Sequence, residues 1–295
     1  MAKSKSFFGL RRGSTKSLTF QVLNGRQVTK DRVYDVKNPR TLSQMQTRML
    51  LATASAAYSS MRDIVNHSWE GLTYGQPTMS AFVQTNIALL KANLTAATSK
   101  FAYNEYQNRG LVPGAYQISK GTLTAPSFTY TAFSGEDSIS LVLNPTGLAT
   151  GWTATQLAAA LGLSIGEMAT FCMIYGNRAA DGYNFGFVRV KFIASGEVPV
   201  TAQNLSTFFE IESSLGTPSA TVNEANLTLD FENVDINDTT AIALACIYSR
   251  SSANGWLRST TVFTIPNGIV LKPKADVALA TYPVGSDYIL NGGAV

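Results

Sequence analysis

A chain of 295 residues, 45% hydrophobic and 14% charged, is long and apolar enough to bury a sizeable core, which excludes a disordered or fibrous class. Its apolar runs fall short of the roughly 20 residues of a membrane-spanning helix, and the short apolar patch in "MAKSKSFFGLRRG" is too small for a secretory signal, so neither insertion nor export is expected. The net charge of +4 is unevenly spread: residues 1 to 50 hold eleven Lys and Arg against Asp31 and Asp35, while the remainder carries an acidic excess. A basic segment on a mildly acidic body suits a polyanionic partner, an acidic neighbouring subunit, or plain solvation.

Residues 1 to 16 show no periodicity and read as a flexible arm. In "SLTFQVLNGRQVTKDRV" the Asn24-Gly25 dipeptide separates two alternating runs, the signature of a hairpin with a two-residue turn whose residues need positive φ. Arg26, Lys30 and Arg32 recur at even spacing and so share one face of the second strand. With Lys16 they form a basic ribbon.

After Pro39, Thr41 and Gln44 make a capping-box signature. Leu42, Met45, Met49, Ala52, Ala56, Met61 and Ile64 predict a helix running to about His67. A second is expected from about Thr78, with Phe82, Val83, Ile87, Leu90, Leu94, Ala97 and Phe101 as its buried stripe, stopping before Gly110 and Pro113. The link "SWEGLTYGQP" is long for a helix turn and is expected to make contacts of its own.

From Ala115 the texture becomes β: "AYQISKGTL", "SFTYTAF" and "SISLVLNP" are short alternating or β-branched runs broken by turn residues. "WTATQLAAALGLSIGEM" looks like a helix-turn-helix. Its second half continues as "MATFCMIYG", which would offer Met, Phe and Ile to base edges where a recognition helix needs polar side chains. The expected arrangement is a short helix, a tight turn and a buried strand. "IYGNRAADGY" from Ile174 and "IYSRSSANGW" from Ile247 share one skeleton, which predicts two equivalent hairpins, in two halves of one sandwich or in two tandem β domains.

The fold class expected is therefore α+β: a basic arm and β-hairpin over residues 1–36, an αα-hairpin over 37–112, and a mainly antiparallel, sandwich-like body over 113–295 with one short inserted helix. The body divides into candidate halves at about 113–200 and 201–295.

Catalytic chemistry is scarce. The single histidine, His67, falls at the end of the first predicted helix, where it suits the helix dipole. Cys172 and Cys246 fit free buried thiols, and with one histidine they cannot build a zinc site. No phosphate loop or dinucleotide fingerprint is present, Glu136-Asp137 lies in a turn, and "DFENVDIND" lacks the glycine and distal glutamate of a calcium loop, so it reads as a solvated acidic turn. No cofactor and no enzymatic activity are expected.

"SKSFFGLRRGSTKSLTF", "KNPRTLSQMQTR", "WEGLTYGQPTMSAF", "YQISKGTL", "ATQLAAALGLSIGEMATF" and "WLRST", in that order, resemble an uncharacterised family, a domain of unknown function, found in gut-anaerobe bacteria and their phages. The resemblance implies a viral or mobile-element setting, in the host cytoplasm or the virion, and a β-rich body. It supplies no activity and no site residues. The leading expectation is a nucleic-acid-binding protein, with single-stranded DNA as a candidate partner. Lys3, Lys5, Arg11, Arg12, Lys16, Arg26, Lys30 and Arg32 would meet phosphates, and Phe7 and Phe8 would stack on bases; Phe20 suits stacking or, equally, packing of the arm onto the body. The competing expectation is a virion structural or assembly protein whose partners are further subunits, including copies of itself.

Overall fold

The computed structural model describes residues 13–14, 16–23, 26–32, 42–97, 116–124, 128–145, 147–148, 151–176, 183–223, 226–236, 242–253 and 255–264. At the N-terminus β1 (Gly13–Ser14), β2 (Leu18–Leu23) and β3 (Arg26–Asp31) form an antiparallel ribbon in the order β1-β2-β3. Leu23 pairs with Arg26, which leaves the two-residue connection that Asn-Gly favours; the turn residues themselves lie outside the described residues.

The first helical segment is interrupted, unlike the continuous helix predicted. α1 (Leu42–Ser60) gives way at Met61 to the single turn α2 (Arg62–Val65), where Ile64 N–H bonds back only three residues, to the Met61 carbonyl at 3.1 Å. Its buried stripe includes Met61 and Ile64 as expected but departs from the expected one at two alanines, and the side chains of Leu42, Met45 and Met49 lie outside the described residues. Leu50, Ala54, Ala57, Tyr58 and Met61 are buried, whereas Ala52 and Ala56 are half-exposed. So many apolar residues surround this helix that the spacing alone fits two adjacent stripes. α3 (Gln76–Ala97) starts two residues before Thr78, with Pro77 in its first turn, where no backbone N–H is required. Phe82 and Leu90 are buried as expected; the side chains of Leu94 and Ala97, the Thr41–Gln44 cap, Phe101 and the expected stop near Gly110 lie outside the described residues.

The remaining elements are β4 (Gln117–Ser119), β5 (Thr129–Gly135), β6 (Ser138–Asn144), α4 (Ala154–Leu161), β7 (Met168–Gly176), β8 (Tyr183–Phe192), α5 (Leu205–Phe208), β9 (Phe209–Ser213), β10 (Ser219–Val222), β11 (Leu227–Glu232), β12 (Ala243–Ser252), β13 (Gly255–Arg258) and β14 (Thr261–Val262). The architecture is α+β and rich in antiparallel strands. One sheet has the order β10-β11-β6-β5, a second β13-β12-β7-β8-β9, and β14 pairs with β4. The helix-turn-helix lookalike resolves as a helix, a turn and a strand. Thr153 and Gln156 form a full capping box on α4, Gly162 closes it at φ 70°, and β7 follows. "DFENVDIND" departs from a simple solvated turn. Asp230, Phe231 and Glu232 belong to β11, where alternation sends Phe231 inward, and beyond the strand Val234 and Ile236 are also buried in the core.

The two similar hairpins meet within one sheet. β7 pairs antiparallel with β12, and Cys172 faces Ala245, its counterpart 73 positions later in the repeat, as a local two-fold axis between the strands requires. The other large sheet has the matching arrangement, with β5-β6 abutting β11-β10 and Leu141 opposite Leu229. The inward side chains of both sheets, among them Ile139, Leu141, Leu229, Phe171, Val188 and Cys246, form one hydrophobic cluster with α4. The opposite face of the five-stranded sheet, with Cys172, Ile174, Ala243 and Ala245, packs with α1, α2 and α3 in a second cluster.

This alternation settles the thiol chemistry. Cys172 and Cys246 are both free and buried, but they join different clusters on opposite faces of the sheet, so their sulfurs cannot bond. Burial pushes both thiols well above their ordinary range. Neither is expected to react with Ellman's reagent in the native protein, and both should react in denaturant; rapid labelling of the folded chain would contradict the burial.

Candidate nucleic-acid interface

The ribbon places its charges by strand alternation. Thr19 faces Lys30, Gln21 faces Val28 and Leu23 faces Arg26, so these six residues share one face, and Arg32 continues it at the Ser17 carbonyl, 2.8 Å from its backbone N–H. Every residue of β3 is exposed. Arg26, Lys30 and Arg32 therefore gather on one face as the spacing predicts, and Asp31 points to the other. Phe20 also lies on that other face, half-buried, so it cannot stack on a base held by these three cations. Lys16 is exposed in the bend before β2. Lys3, Lys5, Phe7, Phe8, Arg11 and Arg12 lie outside the described residues.

A second concave region forms where the α2–α3 link meets the β12–β13 hairpin. The link is held from within: Asn66 Oδ1 accepts from the Tyr58 hydroxyl at 2.6 Å and from Gly75 N–H at 3.1 Å, and the Thr78 hydroxyl donates to the Thr73 carbonyl at 2.8 Å. Glu70 ties it to the strands, accepting from Thr122 N–H at 2.9 Å and Arg258 N–H at 3.3 Å. These hydrogen bonds, led by that from the Thr122 backbone, hold the Glu70 carboxyl below its ordinary range. Arg258 crosses the junction, its Nε donating to the His67 carbonyl at 2.9 Å and its guanidinium lying 5.1 Å from the Trp256 ring centre. The result is a groove of about 590 Å³ walled by Leu72, Tyr74, Trp256, His67 and Arg258. Tyr74 is 73% exposed and Trp256 44%, a large open aromatic area for a folded surface.

Close backbone contact fixes this wall. A Cβ on Gly121 would stand 2.1 Å from the Arg258 carbonyl oxygen and 2.7 Å from Glu70 Oε2. Gly121→Ala is expected to cost about 1–3 kcal/mol through that overlap. Thermal denaturation measures it, and an unchanged melting temperature would mean the strands do not meet there.

His67 is exposed just beyond α2, its ring 6.0 Å from that of Tyr74. Among the described residues no group of three His, Cys, Asp or Glu is placed to hold a metal ion, and no helix is long and apolar enough to cross a membrane. No family model, curated protein or solved structure matches this chain. The aromatic groove leaves little trace in the sequence. Its walls are separated by about 190 positions, and the local signal is confined to the unusual length and aromatic content of the link.

Proposed function

We propose that this chain is a non-enzymatic nucleic-acid-binding protein of phage or mobile-element origin that engages single-stranded DNA through its basic N-terminal arm and ribbon. One observation carries the reading: Arg26, Lys30 and Arg32 project from one face of an exposed strand, and among the described residues of the ribbon no acidic side chain shares that face. Lys3, Lys5, Arg11, Arg12 and Lys16 add charge along the arm, and Phe7 and Phe8 provide stacking rings. Phosphate contacts of this kind are tolerant of sequence, consistent with the strand that stands where a recognition helix would need to be after α4. The resemblance to an uncharacterised family of gut-anaerobe bacteria and their phages supports a place in a bacterial host cytoplasm or a virion.

A second reading has its own support. β3 buries none of its residues, and a small ribbon with no core is marginal alone, so it gains stability by docking on another surface. In that reading the chain is a virion structural or assembly component: two sheets sharing one core form a sandwich-like body, and the ribbon reaches a neighbouring copy. Light scattering with and without an oligonucleotide separates the two. A monomer that changes only when DNA is added supports the binder; a large symmetric oligomer without DNA supports the assembly role.

A further inference from the structure

The helix-facing side of the five-stranded sheet changes character along its length. Cys172 and Ala245 are packed under the helices, but along the same face the next rows carry Thr170 and Arg189, then Ser249 and Arg258. A cleft of about 40 Å³ lies there against α2; its polar lining is these four residues with Asp63, His67 and Ser68, and Ile64, Met168 and Ile247 complete it. It is rich in donors. Thr170 and Ser249 are buried, and neither hydroxyl makes a side-chain hydrogen bond among the described residues. Arg189 is held by Glu212 through Nη1 at 2.5 Å, yet its Nε is buried with no partner. Asp63 forms no salt bridge with either arginine.

Electrostatics points the same way. Burial lowers the pKa of Arg258, the charge of Arg189 lowers it further, and the attraction of Glu70 offsets these less. Arg189 and Arg258 each have a partner, Glu212 and the His67 carbonyl, yet two unused hydroxyls and the buried Arg189 Nε–H still lack an acceptor in the cleft. A tetrahedral oxyanion supplies one, whereas a carboxylate offers only two oxygens. His67 and Arg258 line both this cleft and the aromatic groove, so a phosphate held in the cleft presents whatever is attached to it toward Trp256 and Tyr74.

We propose that cleft and groove together bind a nucleoside monophosphate unit, its phosphate between Arg189 and Arg258 and its base against Trp256 and Tyr74. Arginine beside an open tryptophan suits a base, which stacks on aromatic and guanidinium planes alike. The unit occurs as a free nucleotide and at the 5′ end of a strand. The site does not depend on the N-terminal ribbon.

The test uses full-length protein with Lys3, Lys5, Arg11, Arg12, Lys16, Arg26, Lys30 and Arg32 each changed to Gln, so that binding by the arm and ribbon does not contribute. Adenosine 5′-monophosphate, adenosine and inorganic phosphate are titrated by calorimetry at low salt, alongside a short oligodeoxynucleotide with and without a 5′-phosphate. The monophosphate is expected to bind at least about tenfold tighter than adenosine or phosphate, because only it engages both halves of the site. Trp256→Ala and Arg189→Gln should each weaken it by about tenfold. Trp256 is exposed, so its replacement should leave the melting temperature unchanged and keeps the test valid if Arg189→Gln disturbs folding. A gain from the 5′-phosphate on the oligonucleotide identifies a strand end as the source, and tighter binding of the free monophosphate identifies a nucleotide. Equal affinity for adenosine and its monophosphate, absence of binding by all three, or indifference to both substitutions overturns the proposal.

Discussion

Phe171→Ala is expected to destabilise the protein by about 3–5 kcal/mol, well beyond the cost of losing any one exposed side chain. Phe171 is fully buried at the middle of β7, flanked by Cys246 on β12 and Val188 on β8. Its ring meets Tyr130 of β5 edge-on at 5.5 Å and Phe128 at 6.1 Å, so it joins the two sheets directly. Truncation removes that contact and leaves a cavity whose walls are hydrogen-bonded strands on both sides, which cannot collapse to fill it. Phe171→Leu keeps most of the volume and should cost less than about 1.5 kcal/mol. Equilibrium denaturation of both variants provides the measurement. A cost below about 1 kcal/mol for alanine would mean that the sheets do not share one core.

Neutralising the ribbon should have the largest effect on binding. With Lys16, Arg26, Lys30 and Arg32 changed to glutamine, up to four phosphate contacts are lost, and at about 0.7 counterions per single-strand phosphate the slope of log affinity against log salt should flatten by as much as ~2.8. Across a fourfold rise in salt that slope corresponds to about a fifty-fold change in affinity. Removing residues 1–16 deletes five cations and should flatten it by up to ~3.5. Preference among sequences should hardly change, since phosphate contacts position a strand without reading it. Anisotropy of a labelled oligonucleotide over a salt series measures both variants. Slopes identical to that of the intact protein would leave the ribbon without a role in binding DNA and favour the assembly reading. These surface substitutions should leave stability within about 0.5 kcal/mol of the parent, so loss of binding is not loss of fold.

Local chemistry makes much of this architecture legible in the sequence. Asn24-Gly25 between alternating runs predicts the β2–β3 hairpin, and the even spacing of Arg26, Lys30 and Arg32 places their charges on one face, because strand geometry has a fixed period of two. Thr153 and Gln156 mark the start of α4, Gly162 marks its end, and the Ile-Tyr skeletons at Ile174 and Ile247 predict equivalent hairpins.

What lies between distant elements has no such local signal. Which alanines of α1 are buried is decided by packing, and Ala54 and Ala57 differ from Ala52 and Ala56 in nothing but their neighbours. Phe20 is placed opposite the cations by the pairing register alone. The groove and the Arg189–Arg258 cleft exist because β13 returns to the α2–α3 link, setting Trp256 and Arg258 beside His67 and Tyr74. Periodic elements, their caps and the charge of the arm are dictated by the order of residues, since each depends on interactions within a few positions. Which faces are buried and which donors stay unsatisfied is dictated by packing, since both depend on pairings across about 190 positions that no local pattern encodes.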